Sequence, residues 1–262
     1  MSVHPGRPRR CHGDALTDPT YPPLDTLKPV APDLWIVDSG PLPGILPLPV
    51  RMTVLRLGDG SVWLHSPTRF DEALARSIEA IGPIRHLVAP NIAHWMFLGA
   101  WQRRCPAAIT WAPPELRRRG QVRRQIEAGA LRIDRDLGEQ SPEEWAADIR
   151  QTVIPGGFGF REIAFFHPVS RSLILTDLVL NLEPRKLPFP LRLPMHLIGA
   201  TAPDGRAPIY LRLAIRFGGR AASRAAAALV ALAPQRVLFA HGAWFEHDAT
   251  PALRRSLRWL LR

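Results

Sequence analysis

Cysteine is scarce in this chain of 262 residues, which contains only Cys11 and Cys105, far apart in the sequence. Two cysteines build neither a disulfide framework nor a cysteine-ligated zinc cluster. Long apolar runs are also lacking, since the most apolar segment, residues 225–233, is about half of the ~20 residues that a membrane span needs. The arginines near the N-terminus are followed by no apolar run, which argues against a secretory signal. We therefore expect a reducing compartment, with the cytoplasm as the default location.

Common catalytic motifs are lacking as well. Ser66 precedes Pro67 without the glycine-flanked elbow of serine hydrolases, and Cys105 precedes Pro106 with no clear histidine partner nearby in the sequence. The glycine-rich segment 156–159 lacks both the lysine and the helix context of a phosphate-binding loop. A serine or cysteine nucleophile and a nucleotide-phosphate site are therefore not supported.

Acidic residues are outnumbered: 34 Lys and Arg stand against 23 Asp and Glu, for a formal net charge of +11. Such a basic protein favours acidic partners, which include nucleic acid, phosphorylated substrates and an anionic membrane surface. Nearly all of this charge is arginine, however, and richness in Ala, Pro and Arg is typical of a compositional bias of the source genome. A small-molecule substrate or ligand is therefore the favoured partner, and nucleic acid is disfavoured.

The chain divides into two parts by composition. Residues 1–30 are rich in Pro, Arg and Asp without periodicity, and we interpret them as a disordered or loosely attached arm. Residues 31–262 are long enough to bury the core of a single domain. Their order is a run of strands with a few helices, then strands again, then helices, which predicts a two-sheet core with helices outside it.

Apolar periodicity and turn residues predict the individual elements. Strands are expected at residues 34–37, 50–57, 61–65, 86–89, 107–111, 151–154, 161–166, 172–176 and 236–240. Helices are expected at residues 71–81, from Pro113-Pro114 onward, at 219–233, and from a cap at Thr250-Pro251 to the C-terminus.

The helix expected after Pro113-Pro114 is strongly basic. It carries Arg117, Arg118, Arg119, Arg123 and Arg124. A solvated basic face is the favoured interpretation, and a nucleic-acid phosphate contact is the alternative.

Residues 184–208 form a proline-rich passage without helical periodicity. Within it, residues 187–197 place apolar side chains at alternate positions with prolines between them. We expect an extended ribbon, which is a poor central strand because proline lacks an amide donor. A lid over a pocket, a contact surface for a partner or membrane, and a loop packed on its own core all remain open.

Three predicted strands lead to polar residues that can bind a metal. The strand at 86–89 leads through Pro90-Asn91 to His94, the strand ending at Thr176 leads to Asp177, and the last strand leads to His241. Two imidazoles and a carboxylate on separate strand-terminal loops are donors that a zinc or iron site requires. The alternative, which the sequence supports equally, is that the three residues form a hydrogen-bonded polar cluster without a metal.

These segments resemble the metallo-β-lactamase superfamily, and within it an uncharacterised branch of unknown function with a degenerate metal-binding motif. The likeness rests on residues 90–99, 173–177 and 239–242, with the hairpin that leads to residues 63–67 in support, and it covers roughly residues 34–247. It implies an α+β fold, namely an αββα four-layer sandwich of two mixed β-sheets with helices on the outer faces. The site would lie at one edge of the two sheets.

The resemblance also implies an activity and a ligand set. A metal-activated water would attack an ester, amide, thioester or phosphodiester, with His94, Asp177 and His241 as metal ligands. The superfamily's His-x-His-x-Asp-His loop is here Ile92 to Phe97, which keeps only one of the four ligand positions and puts Met96 in place of the expected general base.

The later Pro-Gly-His of the superfamily is here Pro155-Gly156-Gly157, which loses a further ligand. A binuclear site is therefore excluded, and one zinc or iron ion, or none, is expected. His65, Glu162 and His167, each at or near a strand end, are candidate accessory donors. The two leading hypotheses are a mononuclear metal-dependent hydrolase and a non-catalytic relative that binds a small molecule or partner in the same cleft.

Overall fold

The computed structural model describes residues 18–261, in which two β-sheets form the centre. The strands are β1 (Lys28–Ala31), β2 (Leu34–Leu42), β3 (Leu48–Arg56), β4 (Val62–His65), β5 (Ile84–Val88), β6 (Ile109–Ala112), β7 (Arg135–Asp136), β8 (Arg150–Pro155), β9 (Arg161–His167), β10 (Ser172–Ile174) and β11 (Arg236–Leu238). In this part of the chain the larger sheet runs β1 to β7 in order, and the smaller sheet has the order β11-β10-β9-β8.

Helices flank these sheets. They are α1 (Glu72–Glu79), α2 (Leu98–Arg104), α3 (Gly120–Glu127), α4 (Phe189–Leu197), α5 (Ile209–Arg216), α6 (Gly219–Ala231) and α7 (Ala249–Leu257), with short 3₁₀ helices at Pro114–Arg118 and Pro184–Lys186. The helices of the described residues are all too short or too polar to cross a membrane.

Both sheets are mixed. Strands β1 to β4 pair antiparallel, and β4 to β7 pair parallel. The tight turn between β3 and β4 forms around Asp59-Gly60, where the Asp59 side chain accepts the N–H of Ser61 at 2.8 Å and Gly60 has φ +82°. Parallel neighbours need a crossover connection, and α1 supplies it between β4 and β5 while α2 supplies it between β5 and β6.

The period of two along each strand divides the core into layers. In β4, Trp63 faces the other sheet, while Val62 and Leu64 belong to the cluster that packs under α1, α2 and α3. In β9, Phe165 meets Trp63 between the sheets, and Phe166 lies in the cluster under α6 and α7. Successive side chains of a strand point to opposite faces. The result is helices, sheet, sheet and helices, so the four-layer αββα prediction is confirmed.

The passage expected to be an extended ribbon contains a helix, so that prediction is wrong. Helix α4 spans Phe189–Leu197 and includes Pro190 and Pro194. Proline in the first helical turn costs little because that N–H would have no helical partner anyway. Pro194 removes one further internal bond, and the helix tolerates it.

Several element boundaries also differ from expectation. The helix after Pro113-Pro114 is split into a 3₁₀ turn, a break at Arg119, and α3. Helices α2 and α5 are not among the predicted elements. The last helix starts after Asp248 and not at a Thr250 cap. Thr250 lies in the first turn, where its hydroxyl donates to Pro234 O at 2.8 Å.

The arginine-rich segment is partly neutralised within the fold. Arg117 pairs with Asp136 at 3.0 Å, and Arg123 pairs with Glu127 at 3.7 Å. Arg119 donates to Ile92 O at 2.8 Å. These contacts favour the solvated-face interpretation, and nucleic-acid binding stays the disfavoured, untested alternative.

The expected N-terminal arm is packed over part of its length. Residues 1–17 lie outside the described residues. Within the remainder, Thr20 is buried, β1 pairs with β2, and Lys28 pairs with Asp38 at 2.8 Å. The first strand of the domain therefore begins at Lys28, before the expected boundary at residue 31. The division into an arm and one domain stays a prediction.

Candidate metal centre

His94, Asp177 and His241 meet at one edge of the two sheets. His94 Nε2 lies 3.2 Å from Asp177 Oδ2, and His241 Nε2 lies 3.4 Å from Asp177 Oδ1. One donor atom from each of the three residues lies within 4.8 Å of the others. The sequence prediction that these three strand-end residues share a neighbourhood agrees with this geometry.

Strand register brings two of the three together. Strands β10 and β11 are parallel, and Ile174 pairs with Leu238. Asp177 and His241 each lie three residues beyond that pair, so they emerge side by side. His94 comes from the other sheet, in the loop after β5, and Pro90 O of that loop accepts the N–H of Ile163 at 3.0 Å.

The donor spacing fits a metal ion. Tetrahedral zinc with bonds of about 2.0–2.1 Å holds its ligand atoms about 3.3–3.4 Å apart. The two nitrogen–oxygen distances, 3.2 Å to Asp177 Oδ2 and 3.4 Å to Asp177 Oδ1, are close to that separation, although each histidine faces a different oxygen of the carboxylate. Imidazole nitrogen and carboxylate oxygen are donors that zinc and iron both accept.

The second nitrogen of His241 defines its tautomer. Nδ1 lies 2.7 Å from Pro49 O, and a carbonyl oxygen can only accept, so Nδ1 carries the hydrogen. In the neutral imidazole, Nε2 then presents a lone pair to the carboxylate of Asp177. Two acceptors that face each other at this distance need a cation or a proton between them.

Ser66 provides the corresponding contact for His94 and is a residue that sequence analysis misses. Its hydroxyl lies 2.6 Å from His94 Nδ1, and its backbone has φ +53°. Ring-nitrogen partners of this kind orient metal-binding histidines. The available sequence signal is that Ser66 directly follows the hairpin strand β4.

Asn91 connects two of the candidate ligand loops. Its side-chain nitrogen donates to Thr176 Oγ1 at 3.0 Å and to Asp177 Oδ2 at 2.8 Å. Its side-chain oxygen accepts the N–H groups of Ala93 at 2.8 Å and His94 at 3.2 Å. One buried amide therefore holds His94 and Asp177 in a common frame, a role that sequence analysis does not foresee.

Glu162 contacts the backbone of the loop that carries Asp177 and is not one of the three residues whose donor atoms converge. Its fully buried carboxyl accepts the backbone N–H of Thr176 at 2.8 Å and of Asp177 at 2.9 Å. Burial and the nearby Asp177 raise the pKa of Glu162 to about 7, against the opposing effect of those two hydrogen bonds. Glu162 therefore holds the backbone of Thr176 and Asp177, and its role as an accessory metal donor stays a prediction.

The two other expected accessory residues also lie outside the donor group. The His65 ring is buried between Trp63 and Phe165, with both ring centroids 5.5 Å away, and burial lowers its pKa to about 3. His167 lies at the far end of β9, where its Nδ1 contacts Ser170 Oγ at 2.8 Å.

Charge complementarity inside the group shifts two pKa values in opposite directions. Burial raises the pKa of Asp177, but the imidazoles of His94 and His241 outweigh it and hold that pKa well below its usual range. Burial lowers the pKa of His94, but the carboxylate of Asp177 outweighs it, so the pKa of His94 is raised. The carboxylate of Asp177 is therefore ionised beside the two imidazoles.

A cavity of about 300 Å³ opens beside the three residues. Its lining is mainly apolar and includes Leu48, Val50, Met96, Phe97, Phe160 and Leu211. Arg119 and Tyr210 add polar groups to the wall. This combination of apolar walls with a few converging polar groups is typical of a small-molecule site.

Comparison with solved structures defines the class of fold. The DIM-1 metallo-β-lactamase matches with a TM-score of 0.60 and 16% identity, over 90% of this chain and 95% of that one. A metallo-β-lactamase from Pontibacter korlensis matches with a TM-score of 0.58 and 14% identity, over 90% and 98% of the two chains. The mono-zinc form of FIM-1 from Pseudomonas aeruginosa matches with a TM-score of 0.58 and 16% identity, over 94% and 99%. The protein therefore has the metallo-β-lactamase fold.

The family follows from the sequence. The chain belongs to DUF4336, a domain of unknown function, whose family model matches residues 34–189. That range includes His94 and Asp177 and ends before His241. No curated protein matches the chain. The predicted metallo-β-lactamase-like fold and the predicted assignment to an uncharacterised family are both confirmed.

Proposed function

We propose that this protein binds one zinc or iron ion through His94, Asp177 and His241 and hydrolyses an ester, thioester or phosphodiester. The observation that carries the proposal is the convergence of three donor atoms with Pro49 O dictating the His241 tautomer. Three protein ligands leave a fourth position open, as in catalytic zinc sites. When bound, such an ion lowers the pKa of a water toward about 7 and polarises the scissile group.

The surrounding residues would bind and orient the substrate. The apolar cavity wall favours a substrate with an apolar portion and excludes competing water. Arg119 can pair with an anionic or carbonyl oxygen on that wall. Burial raises the pKa of Tyr210, with Asp177 adding to the effect, so its hydroxyl stays a donor near neutral pH.

Metal analysis tests the proposal most directly. Protein purified without chelator is expected to hold about one equivalent of zinc or iron, or to take it up on titration. Asp177→Ala and His94→Ala should each abolish this uptake, whereas His247→Ala, at an exposed histidine outside the site, should leave it unchanged. Less than about a tenth of an equivalent after zinc or iron addition would refute the proposal.

A non-catalytic ligand-binding cleft is the second candidate. The His94–Asp177 contact at 3.2 Å favours it, because a protonated imidazole can stabilise that carboxylate without metal. In that case the cavity would bind an apolar small molecule and show no turnover. Hydrolysis of any member of an ester, thioester and phosphodiester panel that disappears in His94→Ala would contradict this alternative.

A further inference from the structure

Helix α4 exposes an apolar stripe instead of burying it. Phe189, Leu193 and Leu197 are spaced four residues apart and are 81%, 66% and 70% exposed. Every residue of α4 is at least partly exposed. A surface helix of a globular protein normally turns its apolar stripe to the core. A helix with the opposite orientation marks a surface that meets something apolar.

Helix α5 repeats the same pattern. Ile209, Leu213 and Phe217 are again four residues apart, and each is at least half exposed. Phe217 follows the end of α5, and its ring packs against the exposed ring of Phe158 with centroids 5.0 Å apart. Two consecutive helices thus each expose a row of apolar side chains. Six exposed apolar residues at helical spacing form a pattern, unlike a single exposed apolar residue on the surface.

The two helices are joined locally. Arg212 Nη2 in α5 donates to Ile198 O, directly after α4, at 3.2 Å. Backbone contact adds to this, since the N–H of Arg206 donates to Gly199 O at 3.0 Å in the connecting segment. The end of α4 and the first turn of α5 are therefore held next to each other.

Much of the positive charge of the protein lies in the same segment. Residues 184–224 contain eight Arg or Lys and one acidic residue, Asp204, so their net charge is 8 − 1 = +7 of the total +11. Asp204 is itself paired with Arg255 at 2.9 Å. Arg216 and Arg220 are exposed on either side of Phe217.

We propose that this α4–α5 face, defined by Phe189, Leu193, Leu197, Ile209, Leu213 and Phe217, docks on an anionic phospholipid membrane. Exposed apolar stripes with neighbouring basic residues are the features of helices that lie in a membrane interface. Anionic headgroups would offset the +7 charge, whereas a second copy of a protein with net charge +11 would add repulsion.

Docking would bring the candidate site close to lipid. Tyr210 and Leu211 belong to α5 and line the cavity beside the three candidate ligands. A lipid-derived apolar chain could therefore enter that cavity from the docked surface. This consequence rests on the proposed function, but the docking itself does not.

Vesicle flotation tests the docking with the full chain. The protein should float with vesicles of phosphatidylcholine and phosphatidylserine, and far less with phosphatidylcholine alone. Leu193→Ser should weaken this partition roughly tenfold, since it removes one apolar side chain from the interface. Val169→Ser, at an even more exposed apolar residue just after β9, is the matched control and should have little effect.

A second pair of variants tests the charge. Arg216→Gln/Arg220→Gln should weaken partition into the phosphatidylserine vesicles about tenfold or more. Arg123→Gln/Arg124→Gln, with the same loss of charge on α3, should change it much less. Equal losses in both pairs would overturn the assignment of this face.

Other outcomes also contradict the proposal. Failure of the wild-type protein to float with phosphatidylserine vesicles would overturn it. Self-association of the wild type that disappears in Leu193→Ser would assign the face to a second copy of the chain instead. Zinc uptake measured in parallel separates a failure of docking from a failure of the proposed hydrolase.

Discussion

Arg51 and Asp38 form a buried ion pair, with 2.7 Å between Arg51 Nη2 and Asp38 Oδ1. The other guanidinium nitrogen, Nη1, donates to Phe239 O at 2.9 Å and to Gly242 O at 2.8 Å. These two carbonyls flank His241. A side chain of the larger sheet therefore positions a candidate ligand that belongs to the smaller sheet.

We expect Arg51→Met to lower the free energy of unfolding by about 3–5 kcal/mol, because it leaves a buried carboxylate with one partner fewer. Lys28 still pairs with Asp38, which favours the lower end of that range. Urea unfolding measures the change. Arg56→Met, in the same strand but at an exposed pair with Asp33 at 3.7 Å, should cost less than about 1 kcal/mol. Similar losses in the two variants would disprove the role of Arg51.

Ser66→Ala is expected to weaken zinc binding about 10–100-fold while the protein stays folded, because His94 loses the partner that orients its ring. Isothermal titration calorimetry with zinc measures the affinity. Ser77→Ala, at an exposed serine whose hydroxyl donates to Ala73 O within α1, should leave the affinity unchanged. An unaltered zinc affinity in Ser66→Ala would show that the 2.6 Å contact with His94 does not position the ring.

Gly242→Ala should destabilise the protein by about 2–4 kcal/mol. Gly242 has φ +95°, and a Cβ there would lie 2.2 Å from Asn181 O and 2.4 Å from Asn181 C, both backbone atoms. The loop that carries His241 would have to move. Gly138→Ala meets open space at an ordinary φ and should change stability by less than about 0.5 kcal/mol. Thermal unfolding of the two variants distinguishes these outcomes.

His86 should make stability depend on pH. Its Nδ1 accepts the indole N–H of Trp111 at 3.2 Å, and burial lowers its pKa from 6.5 to about 4. Between these two values the unfolded chain binds a proton that the folded chain does not, so stability falls as pH falls. The loss from this residue amounts to about 3 kcal/mol at most.

His86→Gln removes that titration while it keeps a hydrogen-bond acceptor for Trp111. Urea unfolding at pH 7 and near the lower end of the window should show a smaller loss for His86→Gln than for the wild-type protein. His65, whose pKa is about 3, adds a loss of the same sign in both proteins, so the comparison uses the difference between them. Parallel pH profiles would contradict the prediction.

Sequence analysis identifies the candidate ligands because each one follows a short apolar run that ends in a turn or a polar residue. This local pattern of an apolar run followed by a polar residue says less about the residues that hold the candidate ligands in place. Asn91 appears in the sequence as half of a turn pair, yet its amide joins His94 to Asp177. Ser66 appears as the end of a hairpin, yet its hydroxyl contacts His94.

The segment 187–197 shows why an apolar pattern can mislead. Alternate apolar residues suit an extended chain, but Phe189, Leu193 and Leu197 also fall four residues apart, which is the spacing of a helix. Pro190 lies in the first turn, which tolerates proline, and Pro194 removes one hydrogen bond inside the helix. Both conformations satisfy the local pattern, and contacts with the rest of the chain select the helix.

The apolar alternation of the strands, the Asp59-Gly60 turn and the polar residues after the strand ends can all be read along the chain, because they depend on neighbours a few positions away. Which polar residues face a common point cannot be read in that way. His65 and His167 also lie at strand ends, but the first packs against Trp63 and the second lies at the opposite end of β9. Strand pairing and the stacking of the two sheets make that selection, because both join residues that are remote in the sequence.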